Sequence, residues 1–335
     1  DPHEGGGTHL PDVSLAMPVF FKSRLLGFVC NIAHHADIGG MSPGSMAGGM
    51  KEIYQEGLRI PVVKLFRKGK LDQDIFDILL LNVRVREERR GDYNAQFSAL
   101  HLAARRLFEM VNKYSGDLIT NVFDEIIERT YERMLSAISL VPDGIYHFED
   151  VMDDDGREAI NVPIKLTATI KGKSVLFDFD GTSPQTPGNI NIPLHGTKAA
   201  VCYVLKAMLD PDIPNNQGVL DAVEVVAPMG TMVSCIAPAS VAARAHTSQR
   251  IIDVVIGALS PALRASAVGA ANGANTMAVF AGNNPETGEP YVYLETLGGG
   301  FGGRNDRDGK DGVQVHITNT SNLPIEAIEM EYPLL

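Results

Sequence analysis

The chain has 335 residues, with 29 Lys and Arg against 41 Asp and Glu, a formal net charge of −12. Apolar residues make up 44% and charged residues 21%, the balance of an ordinary globular chain rather than a disordered or fibrous one. Surplus negative charge does not suit a phosphate-backbone binder, so no nucleic-acid partner is expected, and no apolar run reaches the roughly 18–20 residues that cross a bilayer.

Residues 13–21 and 25–33 read as two strands around the turn Lys22–Ser23–Arg24. In GFVCNIAH, alternation puts Phe28, Cys30, Ile32 and His34 on one face and Val29, Asn31, Ala33 and His35 on the other. The first face is the more apolar and is expected to be buried, with His34 ending the row and His35 directed away. Residues 39–49, with five glycines and a proline, read as a loop, and MKEIYQEGL after it as a short helix. Ile75, Ile78 and Leu79 place a helix over 71–82. Two long helices follow at 92–114 and 117–140, with Gly116 ending the first and Asp117 capping the second.

The period then changes. Residues 145–151, 161–170 and 174–180 read as antiparallel strands, linked by Asp153–Asp154–Asp155–Gly156 and by Lys171–Gly172–Lys173. Asp178 to Pro193 is a polar loop. Helices at 194–208 and 247–265 and short strands near 221–227, 275–281, 290–296 and 313–317 complete the order, with the glycine-rich loop GGGFGGRNDRDGKDG before the last strand. There is no internal repeat. The pattern is α+β, with mixed, largely antiparallel sheets and packed helices. The change near 141 divides it into residues 1–140, a hairpin and helical region, and 141–335, a β-rich region. The chain opens inside a loop at Asp1 and stops on EAIEMEYPLL, so it reads as a segment of a longer polypeptide. No signal peptide is visible. Cys30, Cys202 and Cys235, odd in number and far apart, argue against a disulfide framework and for a cytoplasmic setting; each reads as a small core residue.

Two stretches could carry chemistry. In GGGTHLPD, His9 and Asp12 are three apart with Pro11 between them, so a turn must bring them together. In AHHADIGG, His34, His35 and Asp37 sit where a strand ends. Imidazole and carboxylate together suit Zn, Mn, Fe or Ni. The hairpin puts both groups at its open end. A solvated loop and a ligand cluster both remain open on spacing alone. Asn189 and Asn191 of PGNINIP, and His246 of RAHTSQR before a helix capped by Thr247 or Ser248, are weaker candidates. His3, His101, His147, His195 and His316 read as structural. GGGFGGR lacks the Lys-Ser/Thr of a phosphate loop, and no GxSxG elbow is present.

GGTHLPDVSL, AHHADIGGMSPGSM, QEGLRIP, EERRGDYNAQ, PDGIYHFED, PGNIN, TSQRIIDV and DGVQVHITNT occur in an order that resembles the hydantoinase B family along the whole chain. That family includes the B-type component of N-methylhydantoinase, the C-terminal half of 5-oxoprolinase, and subunits of acetone and acetophenone carboxylases. The resemblance implies a hetero-oligomer with an A-type subunit of actin-like fold that binds ATP, where ATP phosphorylates an oxygen of the substrate. Water then opens a cyclic amide, a lactam or hydantoin; in the carboxylases a phosphoenolate meets carbon dioxide. It also implies a divalent metal, Zn or Mn, held by a His-x-x-Asp and a later His, which fall on His9, Asp12 and His34.

HLPD with HHADIGG is closer to the hydantoinase and oxoprolinase branch, so ATP-dependent cyclic amide hydrolysis is the expected activity. On that reading His35 and Asp37 orient the ligand shell or move a proton. Gly39 and Gly40 let backbone approach the substrate, with Asp92 and Gln96 as further substrate-side candidates. The chain departs from the family pattern at ARAHTSQR, where a Gly-Asn and an acidic residue are expected, and at His3. A ketone carboxylase subunit, a non-catalytic scaffold subunit and a metal hydrolase working without ATP are the alternatives.

Overall fold

A computed structural model describes residues 1–270, 276–297, 302–303, 308 and 329–330. β1 (Asp12–Phe21) and β2 (Arg24–His34) form the antiparallel hairpin. Lys22 and Ser23 turn it at φ 48° and 64°, the left-handed pair that a two-residue hairpin turn needs. Pairing runs one for one from Asp12↔His34 to Val19↔Gly27, then shifts to Phe20↔Leu25, which leaves Leu26 as a bulge. A small pair not anticipated from sequence, β3 (Phe66–Arg67) and β4 (Lys70–Leu71), precedes α1 (Gln73–Leu81), α2 (Arg86–Tyr114) and α3 (Gly116–Ile138).

The hairpin's faces are the reverse of the expectation. Phe28 and Ile32 are each 60% exposed, and Cys30 and His34 are exposed with them. The other face is covered: Val19 and Leu26 pack with Ala104 and Val111 of α2 and Ile119 of α3. Polar pairing explains the choice. Asn31 Nδ2 donates to the Gln96 carbonyl at 2.9 Å, and Gln96 Nε2 donates to Asn31 Oδ1 at 3.1 Å and to the Val13 carbonyl at 2.9 Å. Satisfied polar groups can be turned inward at little cost, so the less apolar face became the inner one.

Residues 50–58 hold a single 3₁₀ turn at Ile53–Gln55 rather than a helix. Between α2 and α3, Ser115 does the work expected of Gly116 and Asp117. It sits at φ 76°, its N–H bonds the Val111 carbonyl, and its Oγ accepts from Leu118 N at 3.3 Å.

β5 (Gly144–Met152), β6 (Val162–Lys171) and β7 (Ser174–Asp178) form an antiparallel sheet. α4 (Leu194–Leu209) and α5 (Gln217–Asp221) then lead to β8 (Glu224–Val226), which joins that sheet parallel to β7. The main core lies under it. Ile164, Leu166, Ala168 and Ile170 alternate inward on β6 and meet Val201 and Leu205 of α4 and Ile251, Val254 and Val255 of α6 (Arg244–Leu259). Each large aliphatic side chain buried there contributes about 1.5–3 kcal/mol.

α6 starts at Arg244, so His246, Thr247 and Ser248 lie inside the helix rather than at its cap; Thr247 Oγ1 donates to the Ile190 carbonyl. β9 (Thr276–Asn283) and β10 (Pro290–Leu297) pair, and β11 (Glu329–Met330) joins β9. The strand expected near 313–317, His316 and most of the 298–312 loop lie outside the described residues. With six α-helices among the described residues and small sheets paired mainly antiparallel, the fold is α+β. No described helix is long and apolar enough to cross a membrane.

Candidate functional site

Hairpin pairing builds the site. Asp12 opens β1, His34 closes β2, and the two are direct cross-strand partners. The Pro11 carbonyl accepts from His35 N at 2.9 Å and carries the chain back to His9. The His9 ring centroid lies 4.9 Å from that of His34, and His9 Nδ1 stands 2.6 Å from Asp12 Oδ2. Gly7 suits this fold-back, since a Cβ there would lie 3.0 Å from the Asp12 Cβ, closer than an ordinary contact.

His9 is 1% exposed; its Nδ1 meets Asp12 Oδ2, while its Nε2 has no hydrogen-bond partner. Burial pulls the His9 pKa down to about 4, against the opposing pull of Asp12. His34, though exposed at its rim, is also held below its ordinary value, first by burial. Burial would raise the Asp12 pKa, but the contact with His9 and the charge of Arg244 outweigh it and hold the carboxyl below its usual range. Near pH 7 the three side chains are therefore two neutral imidazoles and a carboxylate, the forms in which these groups ligate metals. Among the described residues, no three His, Cys, Asp or Glu side chains stand in a formed metal-binding geometry. The fit of a Zn- or Mn-type cation rests instead on this donor set and on the unpartnered Nε2 of His9.

His35 is separated from this group. It is buried on the helix side, its Nε2 3.0 Å from Gln96 Oε1 and its ring 4.6 Å from Tyr93. Gln96 Nε2 already faces two carbonyl acceptors, so Oε1 accepts and His35 Nε2 carries the proton. Asp37, 1% exposed, organises the following loop. Its Oδ1 accepts from Gly39 N and Arg84 N, both at 2.9 Å, and its Oδ2 accepts from Gly44 N at 3.1 Å and Arg84 Nη1 at 3.0 Å. Gly39 and Gly40 have φ of +91° and +85°, and a Cβ on either would meet the chain's own backbone, Asn82 O at 2.3 Å and Gln55 O at 2.5 Å. Asp92 pairs with Arg89 at 3.2 Å, and Gln96 is engaged with Val13, Asn31 and His35. The hairpin thus gathers His9, Asp12 and His34, while His35, Asp37, Gly39, Gly40, Asp92 and Gln96 support it or lie outside it.

Of the weaker candidates, Asn191 Nδ2 donates to the Thr186, Gly188 and Ser240 carbonyls, and Asn189 Nδ2 to Ala47 O. His3, His101 and His195 bond backbone carbonyls, and His147 bonds Thr167. Cys202 and Cys235 are buried and Cys30 is exposed; all three thiols are free.

Two residues at the site were not read from sequence. Arg244 Nη2 lies 3.3 Å from Asp12 Oδ2; its position falls in the ARAHTSQR departure, which was the available signal. Glu56, within QEGLRIP, is fully buried. Its Oε1 accepts from Ser240 Oγ and Val241 N, both at 2.6 Å, and from Ala242 N at 3.1 Å, fixing the segment that leads to Arg244. Its Oε2 has no partner.

Burial raises the Glu56 pKa from an ordinary 4.5 to about 7, against the pull of those donors. The folded state therefore holds this proton longer than the unfolded one. The stability it contributes is full below pH 4.5 and is lost as pH rises through about 7, capped at about 3 kcal/mol. Urea midpoints at pH 5 and pH 8 check this: Glu56→Gln should remove that loss, so the variant gains on the wild type as pH rises. Parallel profiles would show that the carboxyl ionises normally.

The Hydantoinase B/oxoprolinase family model matches residues 1–335. The chain is 34% identical over 341 residues to the B-type subunit of a putative D-/L-hydantoinase of Pseudomonas sp. (strain NS671), covering 98% of this chain and 57% of that protein. It is 33% identical over 341 residues to the 5-oxoprolinase of Dictyostelium discoideum, covering 99% of this chain and 26% of that protein. The crystal structure of an ATP-dependent caprolactamase from Pseudomonas jessenii matches the fold with a TM-score of 0.85 at 28% identity, over 93% of this chain and 54% of that one. The chain spans little more than half the length of the Pseudomonas hydantoinase polypeptide it matches. It belongs to the hydantoinase B/oxoprolinase family.

Proposed function

We propose that this chain is the B-type part of an ATP-dependent cyclic amide hydrolase, acting on a lactam or hydantoin with an A-type subunit that binds ATP. The observation that carries the reading is the meeting of His9, Asp12 and His34 at the hairpin's end, with the buried His9 Nε2 unpartnered. Relatives named for hydantoin, 5-oxoproline and caprolactam chemistry support the hydrolase branch over the carboxylase one.

His9, Asp12 and His34 would hold a Zn- or Mn-type cation, which when bound supplies Lewis acidity toward a carbonyl or water. The chain's own residues prepare the place. Asp12 stays ionised beside Arg244, and Thr8 Oγ1, 3.5 Å away, donates to it. His9 and His34 stay neutral, so their lone pairs are available. Gln96 and Tyr93 fix His35, which anchors the strand end, and Asp37 fixes the loop beyond it. The free thiols fit a cytoplasmic setting.

The chain alone is expected to show no turnover; with its A-type subunit and ATP it should open a ring and release one ADP per ring. The check is a panel of hydantoin, 5-oxoproline and caprolactam, assayed with and without ATP and partner. Ring opening by the chain alone, or without ATP, would overturn the proposal. Carbon dioxide-dependent consumption of a ketone would move it to the carboxylase branch.

A further inference from the structure

One oxygen of Asp12 serves several groups. Oδ2 has Arg244 Nη2 at 3.3 Å, the Thr8 hydroxyl at 3.5 Å and His9 Nδ1 at 2.6 Å. Arg244 Nε also donates to Thr8 Oγ1 at 3.1 Å, so the guanidinium is held from Thr8 as well as from Asp12. Neither partner is well solvated: the Arg244 side chain is 16% exposed and that of Asp12 18%. Salt therefore screens this pair less than a surface pair. The arginine's backbone is fixed as well. Arg244 N donates to the Val241 carbonyl at 3.0 Å, and Glu56 grips residues 240–242 from below.

Charge counting gives the consequence. Two neutral imidazoles and one carboxylate would present a single negative charge to a divalent cation. The guanidinium beside that carboxylate offsets part of that charge. Arginine does not release its proton at any working pH, so this offset is present throughout.

We infer that Arg244 competes with the metal for Asp12 and keeps the metal at His9, Asp12 and His34 weakly held and exchangeable. The inference rests on the metal reading proposed above. Cation and guanidinium need the same carboxylate, and like charges repel across a poorly solvated gap. Binding therefore requires the guanidinium to give up part of its hold on Oδ2.

Metal titration of the whole chain tests this, with Mn²⁺ added directly and Zn²⁺ in competition with a chromogenic chelator. Arg244→Gln keeps a polar group of similar reach without the charge and should bind metal about tenfold tighter, ~1.4 kcal/mol. Arg244→Lys keeps the charge and should stay within about threefold of wild type. Circular dichroism confirms folding. If Arg244→Gln does not fold, Thr8→Val, which removes the hydroxyl holding Nε, is read the same way: tighter metal supports competition, and unchanged or weaker metal overturns it. Wild type that binds metal, with Arg244→Gln binding no tighter, overturns the role of Arg244 and leaves the metal site standing. Wild type and variants that all fail to bind metal overturn both.

Discussion

His34→Ala is expected to lose bound divalent metal and on the order of a hundredfold or more in ATP-dependent ring opening, since removing several kcal/mol of charge stabilisation has that effect on rate. It should unfold at nearly the wild-type urea concentration. His34 is exposed at the rim of the hairpin, where its ring meets that of His9. His35→Ala should do the reverse. That ring is 1% exposed, pairs with Gln96 at 3.0 Å and lies 4.6 Å from Tyr93. Its removal leaves a cavity and an unpartnered Gln96 oxygen, a cost of about 1–3 kcal/mol, while metal content stays near wild type. The measurements are metal stoichiometry by plasma emission and urea unfolding of both variants. Metal lost from His35→Ala and kept by His34→Ala would mean that the hairpin offers its other face.

Asp37→Ala should be the most damaging single change to the fold of this region, about 3 kcal/mol or more. The carboxylate accepts from three backbone N–H groups and from Arg84, and the alanine leaves all of them without it. Arg84 is 35% exposed, so water recovers part of its share, which sets the estimate at the low end of the range for a broken buried pair. The loop loses its organiser too, because the same guanidinium bonds the carbonyls of Gly39, Gly40 and Ser42. Asp37→Asn keeps Oδ1 as an acceptor and should lose roughly half as much. The reading is the urea midpoint with an unchanged denaturant slope. A loss below about 1 kcal/mol for Asp37→Ala would show that the loop is held by something else.

Local signals were the legible ones. α4 was expected at 194–208 and runs Leu194–Leu209, because its apolar stripe fills the helical period from end to end. α2 was expected to begin at 92 and begins at Arg86: its first turn is charged, and its lead-in Val85 sits at φ 52°, which no sequence rule anticipates for a valine. That Asp12 and His34 share the hairpin's open end followed from the two-strand reading; their direct pairing depends on the bulge at Leu26. The hairpin's inner face did not, since apolarity favoured Phe28 and Ile32 while the helix is attached through Asn31 and Gln96. Arg84, Glu56 and Arg244 act on partners 47, 184–186 and 232 positions away, and of the three only Arg244 carried a local signal, its place in ARAHTSQR.

The bulge at Leu26 has a consequence for how this hairpin can change length over evolution. From the turn to Phe20↔Leu25 the paired numbers sum to 45, and beyond the bulge they sum to 46. If Leu26 were paired with Val19 instead, the sum would stay at 45, Asp12 would stand opposite Ala33, and His34 would point to the helix side. Parity is what the bulge supplies. With the turn and β1 held, one residue gained or lost in β2 beyond the bulge swaps the two adjacent histidines between solvent and core and takes His34 away from Asp12.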